Sequence, residues 1–209
     1  MNDVSFNPFS NGHHVIFFIG DDDLSDVVGW SEKIHQQNYQ KKQNALLIEL
    51  SQTRGHRLTG QENLLSLIHQ KPNCPLILNV ADLSDGGKNR LHEDLFFLSG
   101  HYDPFIIVSR TPFQTGPDFA GKIYFFISAQ AKTLTDTFNA LKKLSHLGQL
   151  DCALIVTNVS SVEEGQTIAE TLQKACLSFL KKDIPIAGIL CGRSTDENAI
   201  KNICQFGEK

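Results

Sequence analysis

The feature that most limits how this 209-residue chain can fold is a series of seven short apolar runs. Longer stretches with helical periodicity separate them. The first run combines β-branched and aromatic residues, and the runs lack the apolar–polar alternation of a half-exposed strand. Continuous apolar runs of this length are typical of parallel strands that are covered on both faces. The runs are residues 15–19, 45–50, 75–80, 105–108, 123–127, 154–157 and 186–190.

Between the runs, apolar residues recur every three or four positions, which is the spacing of one helix face. The clearest stripe consists of Ile168, Leu172, Cys176, Phe179 and Leu180. Further helices are predicted at residues 24–34, 61–69, 84–100, 134–144 and 196–204. Regular alternation of strand and helix predicts an α/β fold, a three-layer, doubly wound and mostly parallel sheet.

Capping patterns predict where two of these helices begin. Thr133 with Asp136 has the spacing of a capping box before the stripe at residues 134–144. For the next helix two pairs fit equally well, and the sequence leaves both open. They are Ser160 with Glu163 and Ser161 with Glu164.

Length and composition indicate one ordinary globular domain. Residues 1–12 are expected to form a loose leader and residues 13–209 a single domain. A net charge of −4 argues against a large nucleic-acid interface. The five cysteines form no CxxC pair, and neither a secretory signal nor a transmembrane run is evident, so we expect reduced thiols and a cytoplasmic location. No set of residues predicts a metal site.

The turn after the first apolar run has the frame of a phosphate-binding loop, a strand followed by a tight turn and a helix. Such a loop needs glycines, whose backbone N–H groups cradle phosphate, and a lysine that neutralises it. This turn instead carries Asp21, Asp22, Asp23 and Asp26, which would repel a polyphosphate. Asp23 also suits a helix N-cap, and carboxylates favour the positive end of a helix, so the cluster has a structural explanation as well.

Three segments of the second half resemble one known family. They are a strand and loop leading to Thr-x-x-Asp at residues 133–136, a strand ending in Asn158 before a helix with Glu-Gly-x-x-Ile, and a strand at 186–190 before a helix at 196–204. In order and spacing the chain resembles the MinD/ParA family of deviant-Walker P-loop ATPases, of the SIMIBI class, and within it the branch that regulates flagellar number. The resemblance spans roughly residues 13–204.

The loop departs from the Lys-Gly-Gly-x-Gly-Lys-Thr pattern of that family. In register after Gly20, both lysines are replaced by aspartates and the hydroxyl that holds Mg²⁺ is replaced by an aliphatic side chain. At about 4 Å and an effective dielectric of about 20, each reversed charge contact is worth on the order of 4 kcal/mol. The degenerate phosphate loop therefore comprises Gly20, Asp21, Asp22, Asp23, Ser25, Asp26 and Val27.

Two residues could belong to a residual nucleotide site. Glu49 stands near the end of the second strand, where the resemblance implies an acid that helps to position water. Asn158 matches an Asn that contacts adenine in the family, although an Asn at the end of a strand equally suits a turn. The family's Asp near the end of the fourth strand has no counterpart in residues 108–113.

These features lead to two hypotheses. The first is a non-catalytic module, a pseudo-ATPase without cofactor, that binds another protein in positioning or assembling a bacterial cell-surface machine such as flagella or pili. The alternative is an ATP-dependent enzyme or nucleotide switch of the same fold, with ATP and Mg²⁺ held at an altered site.

The resemblance also sets expectations for partners. Asp21 replaces the lysine that crosses the family's ATP-sandwich dimer, so that dimer is not expected. The last residues lack the basic amphipathic pattern of the family's membrane-targeting helix, so no membrane anchor is expected. The lysine pairs at 142–143 and 181–182 are interpreted as solvated surface, without aromatic residues that would indicate nucleic acid.

Overall fold

The computed structural model describes residues 15–19, 29, 32, 35–36, 45–53, 55–58, 64–70, 74–102, 105–109, 122–146 and 151–191. Eight strands lie within these ranges: β1 Val15–Ile19, β2 Leu46–Ser51, β3 His56–Arg57, β4 Leu76–Asn79, β5 Phe105–Ser109, β6 Lys122–Ile127, β7 Cys152–Val159 and β8 Ile186–Cys191. The α-helices whose bounds fall within these ranges are α1 Leu64–Gln70, α2 Asp85–Ser99, α3 Ala131–His146 and α4 Val162–Ala175. No helix in the described ranges is long and apolar enough to cross a bilayer.

The strands form one sheet in the order β3-β4-β2-β5-β1-β6-β7-β8, and every neighbouring pair is parallel. The seven predicted strands are confirmed. The eighth, β3, lies between the second and third apolar runs, where no strand is predicted. Both residues of β3 are exposed and pair only with Leu78 and Asn79 of β4, so no apolar pattern could have revealed it.

Both faces of the sheet are buried. Neighbouring residues in the central strands have side chains on opposite faces, yet Ile106 and Ile107 are 0% and 1% exposed, and Leu154 and Ile155 are both 0% exposed. A sheet covered on both sides is the middle layer of a three-layer domain. The predicted α/β fold class is therefore confirmed.

The connections run in two directions from the middle of the sheet. The connections containing α2, α3 and α4 all step toward β8, and the right-handed crossover rule places these helices on one face. The connection from β1 to β2 steps the opposite way. It contains helical residues that include His35, which is buried and has its Nε2 3.2 Å from the carbonyl oxygen of Ala45.

The helix starts confirm one capping prediction and correct another. The Ser161 hydroxyl accepts a hydrogen bond from the Glu164 N–H at 3.2 Å, so the pair Ser161 and Glu164 caps α4. The prediction for α3 was wrong, because that helix begins at Ala131 and Thr133 lies inside its first turn. Thr133 is buried there and accepts a hydrogen bond from the Ser128 hydroxyl at 3.3 Å. A core contact, not a cap, explains this threonine.

The end of α4 corrects the predicted apolar stripe. The helix continues as a π-helix, Cys176–Leu180, whose i→i+5 bonds widen the turn. Each residue then advances less around the axis, so the position that faces the core moves by about one residue relative to an α-helix. Leu180 packs against the core, whereas Phe179 is 77% exposed. The sequence prediction for Phe179 was wrong because it assumed unbroken α-helical geometry.

The described cysteines are free thiols with different surroundings. Cys74 is exposed, Cys191 is half-buried, and Cys152 and Cys176 are buried. Burial, together with the nearby Cys176, raises the pKa of the Cys152 thiol to about 12. Burial raises the pKa of Cys176 to about 11. Both groups therefore remain protonated at neutral pH and behave as small apolar side chains. The predicted helix at 196–204 and the leader at 1–12 lie outside the described residues.

Candidate functional site

The carboxyl edge of the sheet, next to β1, is where this topology places a ligand. β1 lies between β5 and β6, and the chain turns one way from β1 to β2 and the other way toward β8. In open α/β sheets, ligands bind outside the carboxyl ends of the strands at such a switch point. The predicted phosphate loop follows Ile19, the last residue of β1, so it starts at this place.

The loop itself lies outside the part of the chain that the structure describes. This holds for every residue of the predicted set: Gly20, Asp21, Asp22, Asp23, Ser25, Asp26 and Val27. Their acidic character remains a fact of sequence, and their role remains a prediction.

Buried hydroxyl groups line the described part of this edge. Ser51, Ser109 and Thr157 lie at or near the ends of their strands, Ser128 directly follows β6, and each is less than 10% exposed. The Thr157 hydroxyl donates to the Ile127 carbonyl at 3.4 Å, and Ser51 Oγ accepts from the Thr53 N–H at 3.2 Å. These groups can exchange hydrogen bonds, but they carry no charge with which to neutralise a phosphate.

Sequence reasoning missed this set of hydroxyls. A signal was available, because a Ser or Thr stands at or just after the end of several apolar runs. In a parallel sheet the carboxyl ends of all strands meet at one edge, so repeated polar residues at these positions come together.

Glu49 lies within β2, two residues before the strand ends at Ser51. Its side chain is 2% exposed, and it pairs in register with Val108 of β5 and Ile77 of β4. The predicted strand-end acid is therefore a buried residue of the sheet. Among the described residues, no group of three His, Cys, Asp or Glu side chains could hold a metal ion.

Asn158 lies at the carboxyl end of β7 in a left-handed conformation, with φ of 57°. The pairing of β7 with β8 shifts register between Val156 and Val159, so Asn158 sits in an irregularity of the ladder. Asn tolerates this conformation better than most residues. This structural reason explains why an Asn stands here even if it contacts no ligand. Its side chain is exposed, so the amide also remains accessible.

The two predicted residues of the residual nucleotide site are far apart. β2 and β7 are separated by β5, β1 and β6 in the sheet. Four strand spacings of about 4.8 Å place Glu49 and Asn158 roughly 19 Å apart across the sheet. They do not form one cluster and could contact only opposite ends of an extended ligand.

The start of α4, beside Asn158, is already occupied by its own carboxylates. The Glu164 carboxylate accepts hydrogen bonds from the hydroxyl and the N–H of Ser160, and these two bonds lower the pKa of Glu164. A backbone hydrogen bond and then the Ser161 hydroxyl lower the pKa of Glu163. Both groups remain ionised at neutral pH, so this positive helix end is balanced internally and repels a further anion.

A basic residue on β3 is also paired within the chain. Arg57 Nη2 donates to Asp82 Oδ2 at 2.7 Å, and both side chains are largely exposed. Arg57 is therefore partly neutralised by a neighbouring carboxylate and is less able to attract an anion to this edge.

Sheet order, crossover direction and the position of the loop define an α/β protein with a P-loop NTPase-like fold. No protein-family model matches the chain, and no curated protein matches it in sequence. Solved structures do match.

A ParA family ATPase from Chlorobium tepidum TLS superposes with a TM-score of 0.58 at 10% identity, covering 95% of this chain and 99% of that chain. MinD from Aquifex aeolicus gives a TM-score of 0.52 at 16% identity, covering 91% and 86%. A cobyrinic acid a,c-diamide synthase from Mycobacterium smegmatis, with bound ADP and magnesium, gives 0.58 at 10%, covering 94% and 93%. The chain thus has the MinD/ParA-like P-loop ATPase fold.

Proposed function

We propose that this chain is a non-catalytic MinD/ParA-like module that binds another protein. Its role would be to regulate the positioning or assembly of a bacterial cell-surface machine such as flagella or pili. The observation that carries the proposal is the sequence of residues 21–27, which contains four aspartates in the segment that follows β1 in the chain.

The physical basis is charge reversal at the position where phosphate would lie. Replacing a lysine by an aspartate removes an attraction and adds a repulsion, each on the order of 4 kcal/mol at contact distance. Asp21 and Asp26 replace both lysines of the family pattern, and Val27 cannot provide a hydroxyl to Mg²⁺. The synthase of similar fold was solved with ADP and magnesium. The fold itself can therefore hold a nucleotide, so whether this chain binds one depends on the residues of its loop.

The described residues support the same proposal. The hydroxyls at the carboxyl edge are uncharged, α4 begins with ionised Glu163 and Glu164, and Arg57 is paired with Asp82. A triphosphate at this edge would find little positive charge among these groups. We accordingly propose that the chain is cytoplasmic, binds no nucleotide cofactor, forms no ATP-sandwich dimer and has another protein as its partner.

Calorimetric titration of the purified protein with ATP and Mg²⁺ tests the proposal. We expect no saturable heat. The matched control carries Lys-Gly-Gly-Leu-Gly-Lys-Thr at residues 21–27 and differs from the natural chain only in this loop. We expect it to gain ATP binding, because the substituted loop supplies the glycines, lysines and hydroxyl that hold phosphate and Mg²⁺. Micromolar binding by the natural chain would overturn the proposal and support a nucleotide switch or enzyme at an altered site.

A further inference from the structure

The π-helix Cys176–Leu180 presents two apolar side chains to solvent at the amino edge of the sheet. Leu177 is 56% exposed. Phe179 is 77% exposed, more than any other large apolar side chain in the described residues. This surface, called here the π-turn knob, lies at the opposite end of α4 from the carboxyl edge. It is therefore separate from the candidate nucleotide site.

The knob has a defined shape. The Phe179 ring meets the Phe138 ring of α3 edge-on, with centroids 6.1 Å apart and planes at 80°. Lys181 ends the turn in a left-handed conformation, with φ of 56°, and its Nζ donates to the Ser178 carbonyl at 2.9 Å. Single π-turns inside helices occur often at functional sites. An α-helical continuation would have turned Phe179 toward the core, so its exposure is a consequence of this turn.

Two lysine pairs lie on or beside the elements that form the knob, although they are far apart in sequence. Lys142 follows Phe138 by one helical turn and so lies on the same side of α3, and Lys143 is the next residue. Lys181 and Lys182 follow the π-helix directly, and all four lysines are exposed. The contact between Phe138 and Phe179 therefore brings the part of α3 that carries the first pair next to the π-helix that the second pair follows, in a chain whose net charge is −4.

Acidic groups near the knob are fewer than the four lysines and do not cancel their charge. Glu170 is paired with another lysine, Lys174, at 3.4 Å. Asp183 is exposed and follows Lys182 directly, and Asp151 is exposed just before β7. A protein segment can place a cation or a gap opposite these carboxylates, whereas a uniformly anionic lipid surface cannot. The mixed rim therefore favours a protein over a membrane.

We propose that the π-turn knob docks an acidic amphipathic segment of the partner protein. Apolar side chains of that segment pack on Leu177 and Phe179, and its Asp and Glu side chains pair with the two lysine pairs. An apolar centre with a charged rim is the usual anatomy of a protein interface, and aromatic side chains often dominate its affinity. This inference rests on the proposed function in one respect, that the partner is a protein.

Photocrosslinking in the producing cells tests the proposal. A photoreactive amino acid replaces Leu177, and the matched control replaces Val162, which is 57% exposed at the other end of α4. We expect a crosslink to an acidic protein segment from position 177 and none to that segment from position 162. Mass spectrometry then identifies the crosslinked segment, which is synthesised as a peptide for affinity measurements.

The affinity of that peptide provides the quantitative test. We expect K181E/K182E to weaken binding at least about tenfold, and Phe179→Ser to do the same. The double variant K142E/K143E changes residues on α3, so it tests the effect of the lysine charge on peptide affinity even if the first variant fails to fold. Raising the ionic strength is expected to weaken binding by the natural chain, since exposed charges are screened.

Several outcomes would overturn the docking surface: no crosslink from Leu177, a crosslink only to lipid or to a second copy of this chain, a captured segment without acidic residues, or affinity unchanged by both lysine double variants. These outcomes are distinct from failure of the proposed function. A partner that binds instead at Phe97, which is 52% exposed on α2, would agree with the proposed function but would show that the π-turn knob is not the docking surface. ATP binding would overturn the proposed function without affecting the crosslink.

Discussion

The two ends of α4 are built in opposite ways. At the carboxyl edge, Ser161 caps the helix, Glu164 bonds back to Ser160, and Gly165 lies directly against Ile189 of β8. At the amino edge the same helix widens into the π-helix Cys176–Leu180 and leaves Leu177 and Phe179 in solvent. The first end satisfies its own polar groups and packs closely, whereas the second presents apolar surface.

This difference indicates how the fold is used. In a P-loop ATPase fold the carboxyl edge carries the ligand, but here its described groups are uncharged, internally capped or paired. The exposed apolar side chains of Leu177 and Phe179 lie at the opposite, amino edge. Under the proposed function, the carboxyl edge holds no nucleotide and the amino edge contacts the partner protein.

Gly165→Ala should cause the largest loss of stability, at the closely packed end. A Cβ at this position would overlap Cγ2 of Ile189 and lie 3.3 Å from Cγ2 of Val159. Overpacking of this kind costs about 1–3 kcal/mol, which urea denaturation would measure. The control is Gly86→Ala in α2, where a Cβ has no neighbour within 4 Å. Equal stability of the two variants would contradict the close contact between α4 and β8.

Ser161→Ala should remove the cap of α4 at a cost of about 1 kcal/mol, within the usual range of 0.5–2 kcal/mol. The lost group is the hydroxyl that accepts from the Glu164 N–H. Ser178→Ala in the π-helix is the control. At this position Lys181 Nζ donates to the backbone carbonyl oxygen, which the substitution leaves in place. Thermal unfolding of both variants measures the difference, and a larger effect at Ser178 would reverse the proposed contrast between the two ends.

Glu164→Gln should change the pH dependence of stability by a smaller amount. Hydrogen bonds from Ser160 lower the pKa of Glu164 below its usual value of 4.5. A carboxylate with a lowered folded-state pKa stabilises the fold above the unfolded-state pKa, and this contribution is lost as the pH falls through the folded value. The stability difference between natural and variant chains should therefore be constant near neutral pH and shrink in acid below about pH 4.5. A stability difference that grows in acid would show that folding raises, and does not lower, the pKa of Glu164.

Phe179→Ala should have the smallest effect, within about 0.5 kcal/mol, because its ring is largely exposed. An uninterrupted α-helix would instead bury this ring and predict a loss of about 3–5 kcal/mol. Leu172→Ala is the control, since Leu172 is 3% exposed on the same helix and should cost about 2–5 kcal/mol. Comparable losses at both positions would show that the π-turn is not present in solution.

Local signals in the sequence predicted much of this fold. Continuous apolar runs identified the seven longer strands because a strand buried on both faces needs apolar residues at every position. Ser161 and Glu164 identified the start of α4 because a cap is formed by residues three apart. The Glu-Gly pattern at Gly165 was visible as well, but its reason, contact with Ile189, required β8 to be in place.

The misses share one cause, which is that tertiary contacts override a local pattern. Thr133 resembles a cap in sequence, yet Ser128 draws its hydroxyl into a buried pair. The exposed strand β3 exists only through pairing with β4. For the candidate site, the sequence provided Glu49 and Asn158 but not their separation of roughly 19 Å, because strand order is not encoded locally.

The alternation of strands and helices, and the aspartates at positions where the family pattern has lysines, can be recognised from the chain alone. Periodicity and residue charge are properties of the sequence, so no structure is needed to see them. Only the folded chain shows which strand ends meet, that Phe179 faces solvent, and that α3 contacts the π-helix through Phe138. These outcomes depend on strand order and on one widened helical turn, in which packing between distant elements, not the local sequence, sets the free-energy minimum.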